Sequence, residues 1–571
     1  ALVRMLEAQG VSHIFGLCGD TTLPFYDAMA RMQPEITHIL TRDERHAGYM
    51  ADGYARVTGK PGICEGPSGG GATYILPGLV EANESSIPVL AITSDVSTAS
   101  RGRYPLTELD QQALFAPLVK FTASLDNAAR LPATVRQAFR AMTTGRPGAA
   151  QLTLPFDTQK GVVEAAEIWA DPETRTYPAR RAGAEPEAIE RMVAVLRQAK
   201  RGVIVCGGGP LLAGAMAALA QVAEALGMPV ATTVSGQGAI AETHPLALGV
   251  VGSNGGVAAT RAVMEEADVV LYVGCRAGSV TTERWRVPGP SARILHIDAD
   301  PMVLGANYLT EVAICADAKL ALEALAAALG VSVGDNGGVA RAEKAWAEKL
   351  AAFGPLATSQ ERPIRPEAVM AALMETLPRD CVVVADPGTP CPYVSAHLRW
   401  PEAGRHFITN RAHGALGYSL AAAMGAQVGR PTAKVLSLMG DGSFAFCAGE
   451  METIMRYKEE TLDLLEASKC HLLWLGAETG TKEMQERIKK NIGIDNIPIA
   501  VGALVKRNIV PGTFWIIGYP GETEESMAAT LKAAAHLKYL YPTAGSDVYP
   551  FRPIPGTEDF DQAIKDGYEP P

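Results

Sequence analysis

The tetrapeptide Gly440-Asp441-Gly442-Ser443 ends an apolar run, Val435 to Met439, broken only by Ser437, and opens a helix-like segment. A strand, turn and helix in that order put glycines where backbone can approach phosphate oxygens. They also put a lone Asp where a hard cation such as Mg²⁺ could join protein to a diphosphate. An ordinary αβ turn with a surface Asp has the same sequence, so the motif needs company. Glu44 offers some, standing at the start of a helix whose Ala47, Met50, Ala51 and Tyr54 form an apolar stripe. A carboxylate there either caps the helix in water, favoured by the helix dipole, or is buried as a proton donor. Between the two, Glu65 to Tyr74 (EGPSGGGATY) reads as a glycine-dense loop before a helix, open to close approach by a ligand or another domain.

These groups need a frame, and the hydrophobic pattern supplies an α/β one. Residues 1–157 alternate helix (Leu2 to Gln9, Thr22 to Met32) and strand (His13 to Leu17, Ile36 to Leu40, Val89 to Thr93, Ala150 to Leu154). Residues 170–186 form a polar, proline-containing linker. A second α/β unit follows, with helices Glu187 to Ala199 and Ala213 to Leu226 and strands Gly202 to Val205, Val230 to Thr233, Val269 to Val273 and Ile294 to Ile297. Its first turn, Gly207-Gly208-Gly209, lacks the GxGxxG spacing of a dinucleotide fingerprint. Asp298 and Asp300 could meet a ribose, or be surface acids at a strand end. Residues 331–366 make a second linker with one charged helix, Ala340 to Ala352. The third unit runs through helix Glu367 to Thr376, strand Cys381 to Ala385, the turn Asp386 to Thr389, strand His406 to Thr409 and the glycine-rich 410–429. The strand Val435 to Met439 is expected to be buried on both faces.

With 571 residues the chain exceeds a single core, and three or four domains are expected. A net charge of -11 and a pI near 5.5 leave no footprint for nucleic acid or an anionic membrane surface. No run is long and apolar enough to span a bilayer, and a cytoplasmic chain is expected. The nine cysteines include no CxxC spacing, which favours reduced, mostly buried thiols over a disulfide framework or a zinc site. The chain opens at Ala1 inside an amphipathic helix, as though shortened at the front.

Together, RDERHAGYMADGYARVTG around Glu44, the turn at Gly388 and Thr389, HGALGY at residues 413–418 and GDGS at 440–443 resemble the thiamine diphosphate-dependent enzymes of the acetolactate synthase and 2-oxo-acid decarboxylase family. The resemblance covers about the first 459 residues. It implies three successive doubly wound parallel-sheet domains: pyrimidine-binding (1–165), central Rossmann-like (187–330) and diphosphate- and Mg²⁺-binding (366–459, truncated). Carbon–carbon bond cleavage or ligation on a 2-oxo acid, by a homodimer or homotetramer, is the implied activity. A simple decarboxylase, or an inactive scaffold that keeps the fold, is the alternative. In that frame Glu44 is the glutamate that contacts the aminopyrimidine and promotes its imino tautomer. Leu416 is the bulky residue that props the cofactor in its bent form. Gly388, Thr389, His413, Gly414, Gly440, Gly442 and Ser443 surround the cofactor, and Asp441 is the first protein ligand of Mg²⁺. Segments 248–255 and 273–285 resemble those that hold FAD in acetolactate synthases, with Arg276 beside the flavin. Lys120 resembles the synthase branch, and is equally readable as a surface lysine.

The pattern then breaks. The Asn that completes the metal motif in the family is missing, the first Asn after the motif being Asn491. Residues 461–571 instead resemble the C-terminal half of a radical S-adenosylmethionine barrel of the cobalamin-associated kind, a partial (β/α) barrel. No cysteine follows Cys470, so the iron-sulfur cluster that such chemistry requires is not expected. Two truncated segments joined near Glu459 are the reading, with activity impaired.

Overall fold

The computed structural model describes residues 1–330, 334, 336–456, 472–488, 493–551, 562, 564 and 565. Residues 1–453 form one unit and 454–571 another. In the first unit, β1 (His13–Gly16), β2 (Thr37–Leu40), β3 (Gly62–Gly66), β4 (Val89–Asp95), β5 (Phe121–Ser124) and β6 (Ala150–Pro155) make an all-parallel sheet in the order β2-β1-β3-β4-β6-β5. β3, β4 and β6 are buried at every residue, as strands covered on both faces by helices must be. Glu65 therefore belongs to a central strand and not to the loop expected from its glycine-rich neighbours.

A second parallel sheet comprises β7 (Val203–Cys206), β8 (Val230–Thr232), β9 (Ala247–Val250), β10 (Val269–Val273), β11 (Arg293–Asp298) and β12 (Thr310–Cys315), in the order β12-β11-β10-β7-β8-β9. The chain winds outward from β7 on one side and from β10 on the other, leaving a crevice where the winding reverses. The helix expected over Ala213 to Leu226 begins at Met216, and a short unexpected helix, Gly209–Ala213, precedes it, ended by Gly214 in a left-handed conformation.

The third sheet has three described strands, β13 (Val382–Ala385), β14 (Phe407–Thr409) and β15 (Val435–Leu438), in the order β14-β13-β15. β13 and β14 are buried throughout, whereas β15 is half-buried along its length. The expectation of a strand buried on both faces fails there. β15 pairs only with β13 among the described residues, so one edge lacks the neighbour that would complete its cover.

The first and third sheets share a core through two helices, Glu44–Thr58 and Tyr418–Gly429, whose backbones nearly touch. A Cβ on Gly53 would lie 2.1 Å from the carbonyl oxygen of Ala422, and one on Gly425 would lie 1.9 Å from that of Met50. Neither expected linker hangs free. Tyr177 is buried and its hydroxyl donates to the Ala55 carbonyl oxygen at 2.7 Å. The helix Gly338–Ala357 docks on the second sheet through Ala345 and a 2.8 Å bond from Trp346 Nε1 to the Ala247 carbonyl oxygen.

The second unit has a parallel sheet of β16 (Leu472–Glu478), β17 (Val510–Ile517) and β18 (Gly545–Pro550), neighbours in chain order. Helices Asn496–Val505 and Glu524–Leu540 pack Val501, Ala534 and Leu537 around Trp515. The expected join near residues 459–461 and the loop after the last strand lie outside the described residues. No described helix is long and apolar enough to cross a membrane.

Candidate cofactor site

Hydrogen bonding of β13 to β15 sets the turn at Gly388-Thr389 beside the turn at Gly440-Asp441, both at carboxyl ends of parallel strands. Asp441 is the first residue of helix Asp441–Cys447, whose first turn offers unpaired backbone N–H groups. Helix Pro390–His397 opens on Pro390, on Cys391, whose N–H donates to the Gly388 carbonyl oxygen at 3.2 Å, and on Pro392, so on that side only the turn residues Gly388 and Thr389 have N–H groups to offer. A Cβ on Gly440 or Gly442 would meet nothing within 4 Å, and one on Gly388 would meet only Leu416 Cδ2, at 3.9 Å. Ser443 is buried; Asp441 is exposed and its carboxylate faces no described partner.

The adjoining loop is tightly specified. Asp386, fully buried, accepts the N–H groups of Gly417 at 3.0 Å and Ser419 at 2.7 Å. Asn410 Nδ2 donates to the Ala415 carbonyl oxygen at 2.5 Å. Gly414 and Gly417 both have left-handed φ, 76° and 84°, which lets the chain turn without strain. Leu416 is half exposed above Gly388, and His413 is exposed. Two buried polar atoms at the end of β14, Thr409 Oγ1 and Asn410 Oδ1, find no protein partner. An open turn, the start of helix Asp441–Cys447 and orphaned polar atoms fit a bound diphosphate. For a metal ion the fit is incomplete: no group of three or more His, Cys, Asp or Glu able to hold one occurs among the described residues.

In the first sheet, Asp43 caps the helix Glu44–Thr58 by accepting Arg45 N–H at 2.8 Å, which frees Glu44 from that role. Glu44 is 6% exposed, under β3 and the glycine loop; a Cβ on Gly71 would come within 3.0 Å of its Oε1. Burial pushes its carboxyl above the ordinary value, and the charges of Asp43 and Glu65 add to this while its own N–H and Arg45 oppose it. Of the two readings of Glu44, the water-exposed cap is excluded.

Three features escaped the sequence. Glu81 Oε2 accepts the N–H groups of Ala412 at 3.1 Å and His413 at 2.7 Å, while Oε1 accepts from Arg56 at 3.1 Å and Ser85 at 2.6 Å. Arg56 also donates to Asp52 at 2.8 Å, and Asp52 accepts the Tyr418 hydroxyl at 2.5 Å. Burial pushes the Glu81 carboxyl up, and Arg56 and the loop N–H oppose it. Glu450, fully buried, accepts Arg42 N–H at 2.9 Å and pairs with His46 Nδ1 at 3.0 Å. The spacing of Asp52 and Arg56 along one helix was the only local hint of this brace.

A cavity of about 430 Å³ opens at the crevice between β7 and β10. Gly207, Gly208, Arg276 and Asp298 line it from the second sheet, Arg146 from the first, and Arg405 and Arg411 from the third. The Arg276 guanidinium holds the Glu84 carbonyl oxygen and pairs with the Glu84 carboxylate at 3.4 Å. Asp300 pairs with Arg146, at 3.4 Å. Lys120 donates to the carbonyl oxygens of Thr144 and Arg146 at 2.6 and 2.7 Å, so its ammonium fastens a turn.

Three family models match in succession: "Thiamine pyrophosphate enzyme, N-terminal TPP binding domain" over residues 1–114, the central domain over 189–325 and the C-terminal TPP binding domain over 386–464. The chain is 36% identical over 470 residues to a probable acetolactate synthase large subunit of Methanocaldococcus jannaschii, covering 80% of this chain and 78% of that one. It is 33% identical over 460 residues to the acetolactate synthase isozyme 2 large subunit of Escherichia coli K12, covering 80% of each. With the acetolactate synthase of Arthrospira platensis it shares 32% identity over 476 residues, 80% of this chain and 79% of that one.

Proposed function

The chain belongs to the thiamine pyrophosphate enzymes, and from that premise we propose that it works on carbon–carbon bonds beside the carbonyl of 2-oxo acids, as an acetolactate synthase-like enzyme. The observation that carries this is Glu44: a buried carboxyl with a raised pKa, at the family's glutamate position, under a glycine loop that leaves its Oε1 close to backbone. Bound thiamine diphosphate would supply the nucleophilic carbon and the electron sink. The residues of the chain do the rest. Glu44 holds a proton at the pyrimidine end; Gly388, Thr389, Gly440, Gly442 and Ser443 receive the diphosphate; the loop through His413, Gly414 and Leu416 sets the bend between them. Asp441 would be the Mg²⁺ ligand among the described residues, without the Asn that follows it in the family's motif, and low activity is expected for that reason. The cavity beside Arg276 is where FAD would sit in a structural role, a domain without flavin being the alternative; flavin absorbance of the purified chain decides between them.

The same reading divides the chain at 1–165, 187–330, 366–459 and 461–571, with the third domain truncated after β15 and the last segment a barrel fragment. The chain-order sheet β16-β17-β18, with a helical connection after each of β16 and β17, supports that fragment. We place the protein in the cytoplasm as a homodimer or homotetramer. Pyruvate consumption dependent on added thiamine diphosphate and Mg²⁺ tests the function: loss in Glu44→Gln supports it, and thiamine-independent consumption overturns it.

A further inference from the structure

We propose that Glu81 is a positioning residue for thiamine diphosphate binding: its carboxylate, reaching from the first sheet's domain, holds the loop Arg411–Gly417 of the third in its binding shape. The inference rests on the proposed cofactor site and adds a residue that does not touch the cofactor.

Glu81 lies on the helix Leu76–Glu84 and is fully buried. Two consecutive backbone N–H groups, Ala412 and His413, converge on Oε2. Successive N–H groups pointing to one side form a concave anion-binding nest, and here the anion is part of the protein. The nest immediately precedes Gly414, whose left-handed φ turns the chain toward Leu416. Without the carboxylate in the nest, the two N–H groups, on residues that are themselves exposed, would lose the acceptor that fixes their direction. Oε1 is fixed separately by Arg56 and Ser85, and Arg56 is fixed by Asp52, which also holds Tyr418 at the start of the next helix. The carboxylate is therefore held at one end by its own domain and grips the loop with the other. All four partners of Glu81 donate, so a glutamine of the same shape must turn its NH₂ group toward donors at one end.

Glu81→Gln should leave the loop in its binding shape for only a fraction of the time, and apparent affinity falls by that fraction. Two measurements on the full chain test this. Hydrogen exchange of the Ala412 and His413 amides, without cofactor, should speed up in Glu81→Gln and stay slow in Ser85→Ala, which removes a donor from the other oxygen. The Kd for thiamine diphosphate at saturating Mg²⁺ should rise by about 10-fold or more in Glu81→Gln, with turnover at saturating cofactor much less affected. Should Glu81→Gln not fold, Glu81→Asp keeps the charge beside Arg56 but falls a methylene short of the loop, and should show both effects. Unchanged exchange at Ala412 and His413, or an unchanged Kd beside a lowered melting temperature, overturns the inference and makes Glu81 a general stability element. A wild-type chain with no affinity for thiamine diphosphate overturns the cofactor site as well.

Discussion

Gly425→Ala tests how the Glu44 helix is held. The new methyl would lie 1.9 Å from the Met50 carbonyl oxygen and 2.8 Å from its Cα. Ordinary contact begins at 3.4 Å, so the two helices must part by about 1.5 Å along that line. The atom struck is backbone and cannot rotate away, which puts the cost at the upper end of overpacking, about 3 kcal/mol. Alanine regains roughly 1 kcal/mol over glycine as a helix former. For the unit of residues 1–453 the net loss of about 2 kcal/mol corresponds to a fall in melting temperature of about 2 °C. Thermal scans by circular dichroism of wild type and variant read this directly. Met50 sits less than two turns from Glu44, so turnover should fall with the displacement. A melting temperature equal to or above wild type would refute the close approach, because propensity alone would then decide the sign.

Other outcomes follow from the same geometry. Glu44→Gln should cut turnover about a hundredfold or more, as for loss of a positioned proton-transfer group, while Mg²⁺-dependent diphosphate binding stays nearly intact; equal losses in both would make Glu44 structural. Burial raises the Glu242 carboxyl from 4.5 to about 7, against the opposing bonds from Gln237 and Trp400 and the charges of Lys349 and Arg399. Its folded value exceeds its unfolded one, so its stabilising contribution is complete below about pH 4.5 and is lost as the pH rises through about 7. Relative to Glu242→Gln, wild type should therefore lose melting temperature across that window, and a constant difference would contradict the assignment. Replacing Glu450 by Ala should cost about 1–3 kcal/mol in urea titration, since Arg42 N–H and His46 lose a buried acceptor; a neutral result would show that the contact carries no stability.

Local pattern sufficed wherever one element determined the outcome. Strands such as Val269–Val273 and Val382–Ala385 are short apolar runs between turns, and their ends fall within a residue or two of expectation. Glu44 and the Gly440-Asp441-Gly442 turn stood out because their neighbours form recognisable motifs. What sequence could not reveal depends on distant partners. Glu81 reaches N–H groups 331 and 332 residues away, and from its own helix it is one more acid among Val80, Ala82 and Asn83. The half-burial of β15 depends on which strand lies beside it, which an apolar run does not encode. Residues 170–186 read as a linker by composition, yet Tyr177 finds a buried acceptor on the Glu44 helix. The short helix Gly209–Ala213 was hidden in what reads as a glycine turn, and the left-handed Gly214 ends it before the helix Met216–Leu226.

The most direct measurement is calorimetric titration of thiamine diphosphate into the full chain, with and without Mg²⁺, beside the same titration of Asp441→Asn. The account predicts weak binding in wild type, with a Kd on the order of 0.1 mM or above, that requires Mg²⁺ and disappears in Asp441→Asn. Binding that ignores both Mg²⁺ and Asp441, or none at millimolar cofactor, would contradict the site at the ends of β13 and β15.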